Sequence, residues 1–170
     1  LSDKKLIKAA VLIPIIFDNN KCDILLTYRS ADLKDHANQI SFPGGRIDKN
    51  DTSPVHTAIR ETYEEIGIVK NDVSIFKKMT DVFIPPSNFV VTPYLSYLDY
   101  TPVFTKNHEV EDLIEVNVTD FLCDSAITST NLSTSYAKNI EVPCFKLNGY
   151  IVWGATAMML SEIKDLFHKL

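Results

Sequence analysis

Residues Gly44 to Ile68 read GGRIDKNDTSPVHTAIRETYEEIGI, and no other stretch limits the fold as strongly. A glycine pair and an acidic loop run into a segment with helical periodicity. Ser53 followed by Pro54 predicts a helix start, because the serine side chain can cap a free N–H and proline at the first position loses no hydrogen bond. Val55, Ile59, Thr62 and Ile66 recur four, three and four residues apart, giving one core-facing stripe. Gly67 predicts the stop, since glycine adopts the left-handed conformation at little cost.

Glu61, Glu64 and Glu65 lie away from that stripe, within an arc of about 100°. The ordinary reading of such a cluster is a solvated face. Three costs weigh against it. Glu61 and Glu65 are like charges four apart, unfavourable by roughly 0.2–0.5 kcal/mol. The dipole disfavours anions in the last turns of a helix. No lysine or arginine stands three or four residues from Glu61 or Glu65 in the helix. A hard divalent cation removes all three costs at once, and magnesium and manganese prefer carboxylate, water and phosphate oxygens.

The 170 residues, 45% of them apolar, suffice for one substantial core, so one domain over residues 1–170 is the expectation. A net charge of −5 without a basic run argues against a nucleic-acid surface. Cys22, Cys123 and Cys144 are odd in number and widely spaced, which fits a reducing cytoplasm rather than a disulfide framework or a zinc site. The apolar run Ala9 to Phe17 is too short for a bilayer span and reads as a strand. The sequence starts at Leu1 and not at Met, so a few residues are expected ahead of it. His36, His56, His108 and His168 are scattered, and no nucleophile motif or P-loop occurs.

In order, strands are predicted at Lys8–Phe17 and Ile24–Tyr28, with a turn at Asp18-Asn19-Asn20. Val73–Phe83 and Phe89–Leu98 read as strands joined by the turn Pro85-Pro86-Ser87-Asn88. Phe83, Phe89 and Tyr94 are expected in the core more than against a ligand. Asn107–Val118 begins as a polar loop and ends as an apolar strand. Phe121–Ile127 reads as a short helix and Ser125–Ser135 as a polar loop. Val142–Leu147 and Tyr150–Trp153 flank a hairpin turn at Asn148-Gly149. Gly154–Leu170 reads as a closing amphipathic helix, with Met158, Met159, Ile163, Leu166 and Phe167 facing the core or a partner. The element pattern predicts an α/β protein, a mixed sheet with helices on both sides.

Arg60-Glu61-Thr62-Tyr63-Glu64-Glu65-Ile66-Gly67-Ile68, preceded by Gly44-Gly45 and Asp51, resembles the Nudix box. Two departures stand out: Thr62 where an aliphatic residue is usual, and a loop from Gly45 to Arg60 one residue longer than common, with Asp51 in place of Glu. Upstream, LLTYRSADLKDHANQISFPGG (Leu25 to Gly45) resembles the signature of the coenzyme A pyrophosphatase subgroup. Leu25, Leu26, Thr27, Arg29, Ser30, Phe42, Pro43, Gly44 and Gly45 match. Lys34 replaces arginine, keeping the charge without the fork. Asn38 replaces glycine and tolerates the left-handed region. The longer loop with Asp51 and the segment Trp153-Gly154-Ala155-Thr156 also look like this subgroup.

The resemblance implies the Nudix fold, an α/β/α sandwich with the box as loop–helix–loop. It implies hydrolysis of a phosphoanhydride in coenzyme A or its derivatives, giving 3′,5′-ADP and 4′-phosphopantetheine. Magnesium or manganese would be held by Glu61, Glu64, Glu65 and the Gly45 carbonyl. Glu109, in the pair Glu109-Val110, would add an acid to that centre. The base is Glu64 or Glu109, and spacing does not choose between them. Arg60 is expected to fix the glutamates by ion pairing, with Arg29, Lys34 and Arg46 as candidate phosphate contacts. The partner implied is a small nucleoside diphosphate, without nucleic acid or membrane; a homodimer is permitted. The competing readings are hydrolysis of ADP-ribose or a dinucleotide, and a Nudix-fold sensor that binds a nucleotide without cleaving it.

Overall fold

A twelve-residue strand, β1 (Ile7–Asp18), runs through the middle of the main sheet. It returns as β2 (Lys21–Arg29) through Asn19 and Asn20, whose φ values of 47° and 64° suit asparagine in a tight hairpin. The computed structural model describes residues 4–134 and 137–170. After β2 come β3 (Ile40–Ser41), β4 (Gly44–Arg46), α1 (Pro54–Ile66), β5 (Ser74–Lys78), β6 (Val82–Ile84), β7 (Phe89–Leu98) and β8 (Val110–Asn117). The chain ends with α2 (Val118–Leu122), β9 (Ile127–Leu132), β10 (Ile140–Leu147), β11 (Tyr150–Val152) and α3 (Gly154–His168).

The main sheet has eight strands, ordered β3-β2-β1-β7-β5, with β4 also on β1, β6 on β7 and β8 on β2. Its central pair β1–β7 is parallel and its other pairs are antiparallel, so the sheet is mixed. Side-chain alternation along β1 separates two layers. Ala10 and Leu12 pack with Tyr94 and with Ala58 of α1. Ala9, Ile13 and Ile15 point the other way, into the cluster that holds Met159, Leu160 and Ile163 of α3. Both faces are therefore covered by helices, which is the expected α/β/α sandwich. A second, antiparallel sheet, β11-β10-β9, joins the α3-side cluster through Phe145, Leu147 and Val152. Among the described residues no helix is long and apolar enough to cross a membrane.

The helix signals act as read. The Ser53 side chain accepts from the His56 N–H at 3.1 Å, Pro54 is the first helical residue, and Gly67 ends α1 at φ 81° with its N–H on the Tyr63 carbonyl. The buried face is rotated from the expected stripe, however. Thr57, Ala58, Thr62, Glu65 and Ile66 are buried, whereas Val55 and Ile59 are half-buried. Ala58 explains the shift: having no bulk beyond Cβ, it lets α1 settle closely on Ala10 and Leu12, and Glu65 turns inward as a result.

Three segments differ from expectation. Val73–Phe83 is two strands, broken where Thr80 donates to Glu162 of α3 and Asp81 accepts from Thr92. These distant partners leave no local mark. The short helix is a single turn at Val118–Leu122, capped by Asn117, followed by a 3₁₀ turn at Asp124–Ala126. The expected loop Ser125–Ser135 instead contains β9, because its threonines and isoleucine suit a strand once β10 offers a partner. Ser135 itself lies outside the described residues.

Replacing Ser53 by Ala removes the cap of the helix that carries the glutamates. We expect Ser53→Ala to lower unfolding free energy by about 1 kcal/mol. Urea denaturation should show a reduced midpoint at unchanged slope; an unchanged midpoint would mean the cap is dispensable.

Candidate active site

The loop after β4 and the last two turns of α1 are joined by Asp51. Its carboxylate, 1% exposed, accepts from Arg60 Nε at 2.8 Å and Nη2 at 2.9 Å, and from the Thr57 hydroxyl at 2.8 Å. The Asp48 N–H adds a fourth bond at 2.9 Å. The Arg60 guanidinium, acting against the cost of burial, holds Asp51 far below the usual carboxylate range. Arg60 is raised in turn, chiefly by Asp51. The sequence placed Asp51 in the motif without giving it a role, because its partners become visible only once the loop closes.

Arg60 then reaches the glutamates with its remaining nitrogen, Nη1, which donates to Glu61 at 3.0 Å and Glu64 at 3.2 Å. Glu61 is therefore paired by its immediate neighbour. The spacing argument that left it without a cation misses this contact, since side chains one apart meet only when a third group, here Asp51, bends the arginine back.

The three glutamates occupy three environments. Glu64 is 49% exposed, Glu61 is 17% exposed and Glu65 is 3% exposed. Glu65 Oε2 accepts from the Gly44 N–H at 3.3 Å, while Oε1 is buried with no hydrogen-bond partner. Burial, reinforced by the charges of Glu61 and Glu109, pushes the Glu65 carboxyl up to about 8; the Gly44 N–H and Arg29 oppose this only in part. Burial also raises Glu61, with Arg60 opposing and Glu64 and Glu109 adding. Gly45 is pressed against the same group, for a Cβ there would lie 2.6 Å from the Glu61 carboxyl carbon.

These features fit a hard cation: an orphaned buried oxygen, two carboxylates whose ionisation is disfavoured, and glycine backbone at close approach. Among the described residues no three acidic, histidine or cysteine side chains are already gathered at ligand spacing. Glu64, turned outward on Arg60, is the member that stands apart.

A cleft of about 600 Å³ opens beside this cluster. Glu61, Glu109, Gly45, Arg29 and Arg46 line it, whereas Glu64, Glu65, Arg60 and Lys34 do not. Lys34 is exposed on the loop after β2. Arg29 Nε is buried without a partner, and its Nη2 donates to the Asp35 carbonyl at 3.2 Å. Arg46 lies over the Phe89 ring at 5.0 Å and pairs with Asp35 at 3.3 Å. Asn38 holds φ 59°, the conformation for which an asparagine can stand in for glycine.

Sequence reasoning missed the far wall. Phe83, Phe89 and Met158, expected in the core or against a partner, line the cleft, as does the buried Met159, while Tyr94 is buried as expected. The segment Trp153 to Thr156 lines it too. Strand periodicity cannot show that β6 and the start of α3 flank one opening.

A mixed sheet between helices, with a glycine-flanked loop–helix carrying buried glutamates at a cleft, defines a Nudix domain. Residues 6–132 match the family model for the NUDIX domain, and the chain belongs to that family. NudL of Pectobacterium atrosepticum, an uncharacterized Nudix hydrolase, is 35% identical over 92% of this chain and 80% of its own length. A probable nudix hydrolase of Schizosaccharomyces pombe is 32% identical over 90% of this chain, which spans about half, 53%, of that protein. Among solved structures, a Caenorhabditis elegans Ap4A hydrolase binary complex is similar at TM-score 0.64 and 18% identity, covering 97% of this chain and 100% of that one. The NUDIX domain of Shewanella oneidensis NrtR, complexed with ADP ribose, gives 0.56 and 19% over 70% and 77%. At such identities the structural likeness shows the fold.

The Glu65 environment has a pH signature. Its folded value near 8 exceeds the ordinary 4.5, so between those limits the folded chain keeps a proton that the unfolded chain has released. This contribution to stability is complete below 4.5 and lost as pH rises to about 8. Metal-free protein should therefore lose unfolding free energy across that window, and Glu65→Gln should flatten the fall. Denaturant titrations at a series of pH values check this. Parallel curves for the two proteins would show that Glu65 ionises normally.

Proposed function

We propose that the protein is a divalent-cation-dependent hydrolase of a phosphoanhydride bond in coenzyme A or its derivatives. The observation that carries the reaction is the unpartnered buried oxygen of Glu65 beside Glu61, next to a cleft holding Arg29 and Arg46. The upstream signature from Leu25 to Gly45 supports the substrate class, since Arg29 and Gly44-Gly45 within it adjoin the same opening.

Glu61, Glu65 and the Gly45 carbonyl would hold magnesium or manganese, with Glu64 joining on release from Arg60. A cation bound there neutralises diphosphate charge and lowers the pKa of a water. Arg29 offers its unpartnered Nε–H to a substrate phosphate, and Arg46 adds a second positive charge at the opening. Arg60 acts on the glutamates, not on substrate. Of the two candidate bases, Glu109 lines the cleft and Glu64 does not, which favours Glu109 as acceptor of the proton leaving the attacking water. Lys34 would contact substrate only if the loop after β2 moved inward.

A different nucleoside diphosphate remains the competing substrate, and the likeness to Ap4A- and ADP-ribose-binding proteins sets the panel. Coenzyme A, ADP-ribose, NADH and diadenosine tetraphosphate should each be incubated with magnesium or manganese and their products separated by chromatography. We expect coenzyme A to be cleaved fastest. Glu109→Gln should lower kcat by roughly 10²-fold or more, and Glu64→Gln by less. The reverse order of the two variants would make Glu64 the base. Preference for another substrate would remove the coenzyme A assignment, and binding without turnover would favour a sensor.

A further inference from the structure

We propose that Asp35 is an internal anion that occupies the arginine pair of the cleft until a substrate phosphate displaces it, and so sets how tightly a phosphate is held. This rests on the reading of Arg29 and Arg46 as phosphate contacts. Arg29 Nη2 donates to the Asp35 carbonyl at 3.2 Å, and Arg46 Nη2 donates to the Asp35 carboxylate at 3.3 Å. One residue thus bridges both guanidinium groups with two oxygens, as a diphosphate can with two of its own. All three residues line the cleft.

The loop that carries Asp35 is built to present it. Its base is closed by the Arg29 N–H on the Gln39 carbonyl and by the Ser30 N–H on the Glu109 carbonyl, each at 2.9 Å. Between these ties His36 takes φ 56° and Asn38 φ 59°. A histidine in the left-handed region costs energy and persists where neighbouring contacts hold it. Here the His36 ring meets the Phe89 ring edge-on, with centroids 6.4 Å apart, and Arg46 lies over the same ring at 5.0 Å. Phe89 gives Arg46 a support that does not depend on Asp35, so a departing Asp35 leaves a guanidinium still held at the cleft wall.

The contact is also weak enough to exchange. The Arg46 and Asp35 side chains are 58% and 55% exposed, so water and salt screen their attraction. A phosphate can engage a guanidinium with two parallel bonds, whereas the Asp35 carboxylate accepts one from Arg46. Charge balance points the same way. The lining holds two arginines against three carboxylates, Asp35, Glu61 and Glu109. Without Asp35 the count is even. Asp35 therefore makes the lining net negative, and an entering anion gains most by taking its place on the arginines.

Trp153, the chain's one tryptophan, lines the cleft and reports binding without turnover. Its fluorescence should be titrated with inorganic pyrophosphate in metal-free buffer at low ionic strength. An exposed ion pair contributes at most about fivefold to a binding constant, and removing a repelling charge adds to this. Asp35→Asn should therefore tighten pyrophosphate binding about three- to tenfold. The gain should shrink as salt is raised. Asp32→Asn removes the same charge from another exposed position of the loop and should leave binding as it was. Arg46→Gln should weaken binding, and in that background Asp35→Asn should lose most of its effect. Equal gains from Asp35→Asn and Asp32→Asn, or none from either, would overturn the internal anion; weaker binding by Arg46→Gln would then still support the arginines as phosphate contacts. Unaltered affinity in Arg46→Gln would overturn both. A gain specific to Asp35→Asn, with no turnover of any diphosphate in the panel, would keep the internal anion and remove the hydrolase reading.

Discussion

Two N–H groups of Arg60 meet the two oxygens of Asp51 at 2.8 and 2.9 Å, and through them the loop after β4 is closed onto α1. A buried ion pair of this kind gains little net stability over an apolar replacement, because desolvating both charges offsets most of their attraction. Its value here is geometric. With Nε and Nη2 committed to Asp51, only Nη1 is left for Glu61 and Glu64, and it holds both at a defined separation from the glycine pair. The shorter Asp51 side chain and the longer loop belong together. The turn Asp48–Asp51, with N–H bonds at 2.9 and 3.0 Å, brings the backbone close enough for an aspartate to reach Arg60.

Local signals were legible in the sequence wherever one residue type satisfies a backbone need by itself. Ser53, Pro54 and Gly67 set the limits of α1, and Asn19, Asn20, Asn148 and Gly149 take the positive φ of their hairpins. The long strands β1, β2 and β7 were legible for the same reason, since alternation and β-branched content need no distant partner to be recognised. What escaped depends on contacts between segments far apart in the chain. Thr80 breaks a strand because Glu162 lies above it, eighty-two residues away. The polar run in β9 becomes a strand because β10 pairs with it.

The site shows the same division. Helical spacing put Glu61, Glu64 and Glu65 away from the expected core stripe, but it carries no information on depth, and Glu65 in fact turns into the buried face with Thr62 and Ile66. Ala58 sets how closely α1 approaches β1, and that approach decides that Glu65 is buried while Glu64 is in solvent. Three glutamates of one motif thus differ in depth through packing on the one face that Ala58, Thr62 and Glu65 share. Arg29 and Glu109 took their candidate roles from motif positions, and the structure places both, with Arg46, in the lining of the cleft. That Arg46 would rest on Phe89, and that Phe83 and Met158 would face one opening, required the sheet order.

Electrostatics links these observations to the chemistry. The chain carries a net charge of −5, and the carboxylates beside the cleft oppose an anionic substrate unless cations intervene. Arg29 and Arg46 are the fixed cations in its lining, and both are tied to Asp35, one through its carbonyl and one through its carboxylate. Their positive charge is therefore oriented before substrate arrives but partly neutralised. On the proposed reading, a diphosphate entering the cleft would draw on a divalent ion for the remainder. The same ion would offset the burial, and the added repulsion from Glu61 and Glu109, that push the Glu65 carboxyl up. On that reading, substrate and cation would each bind more tightly with the other in place, and both would favour the ionised form of Glu65.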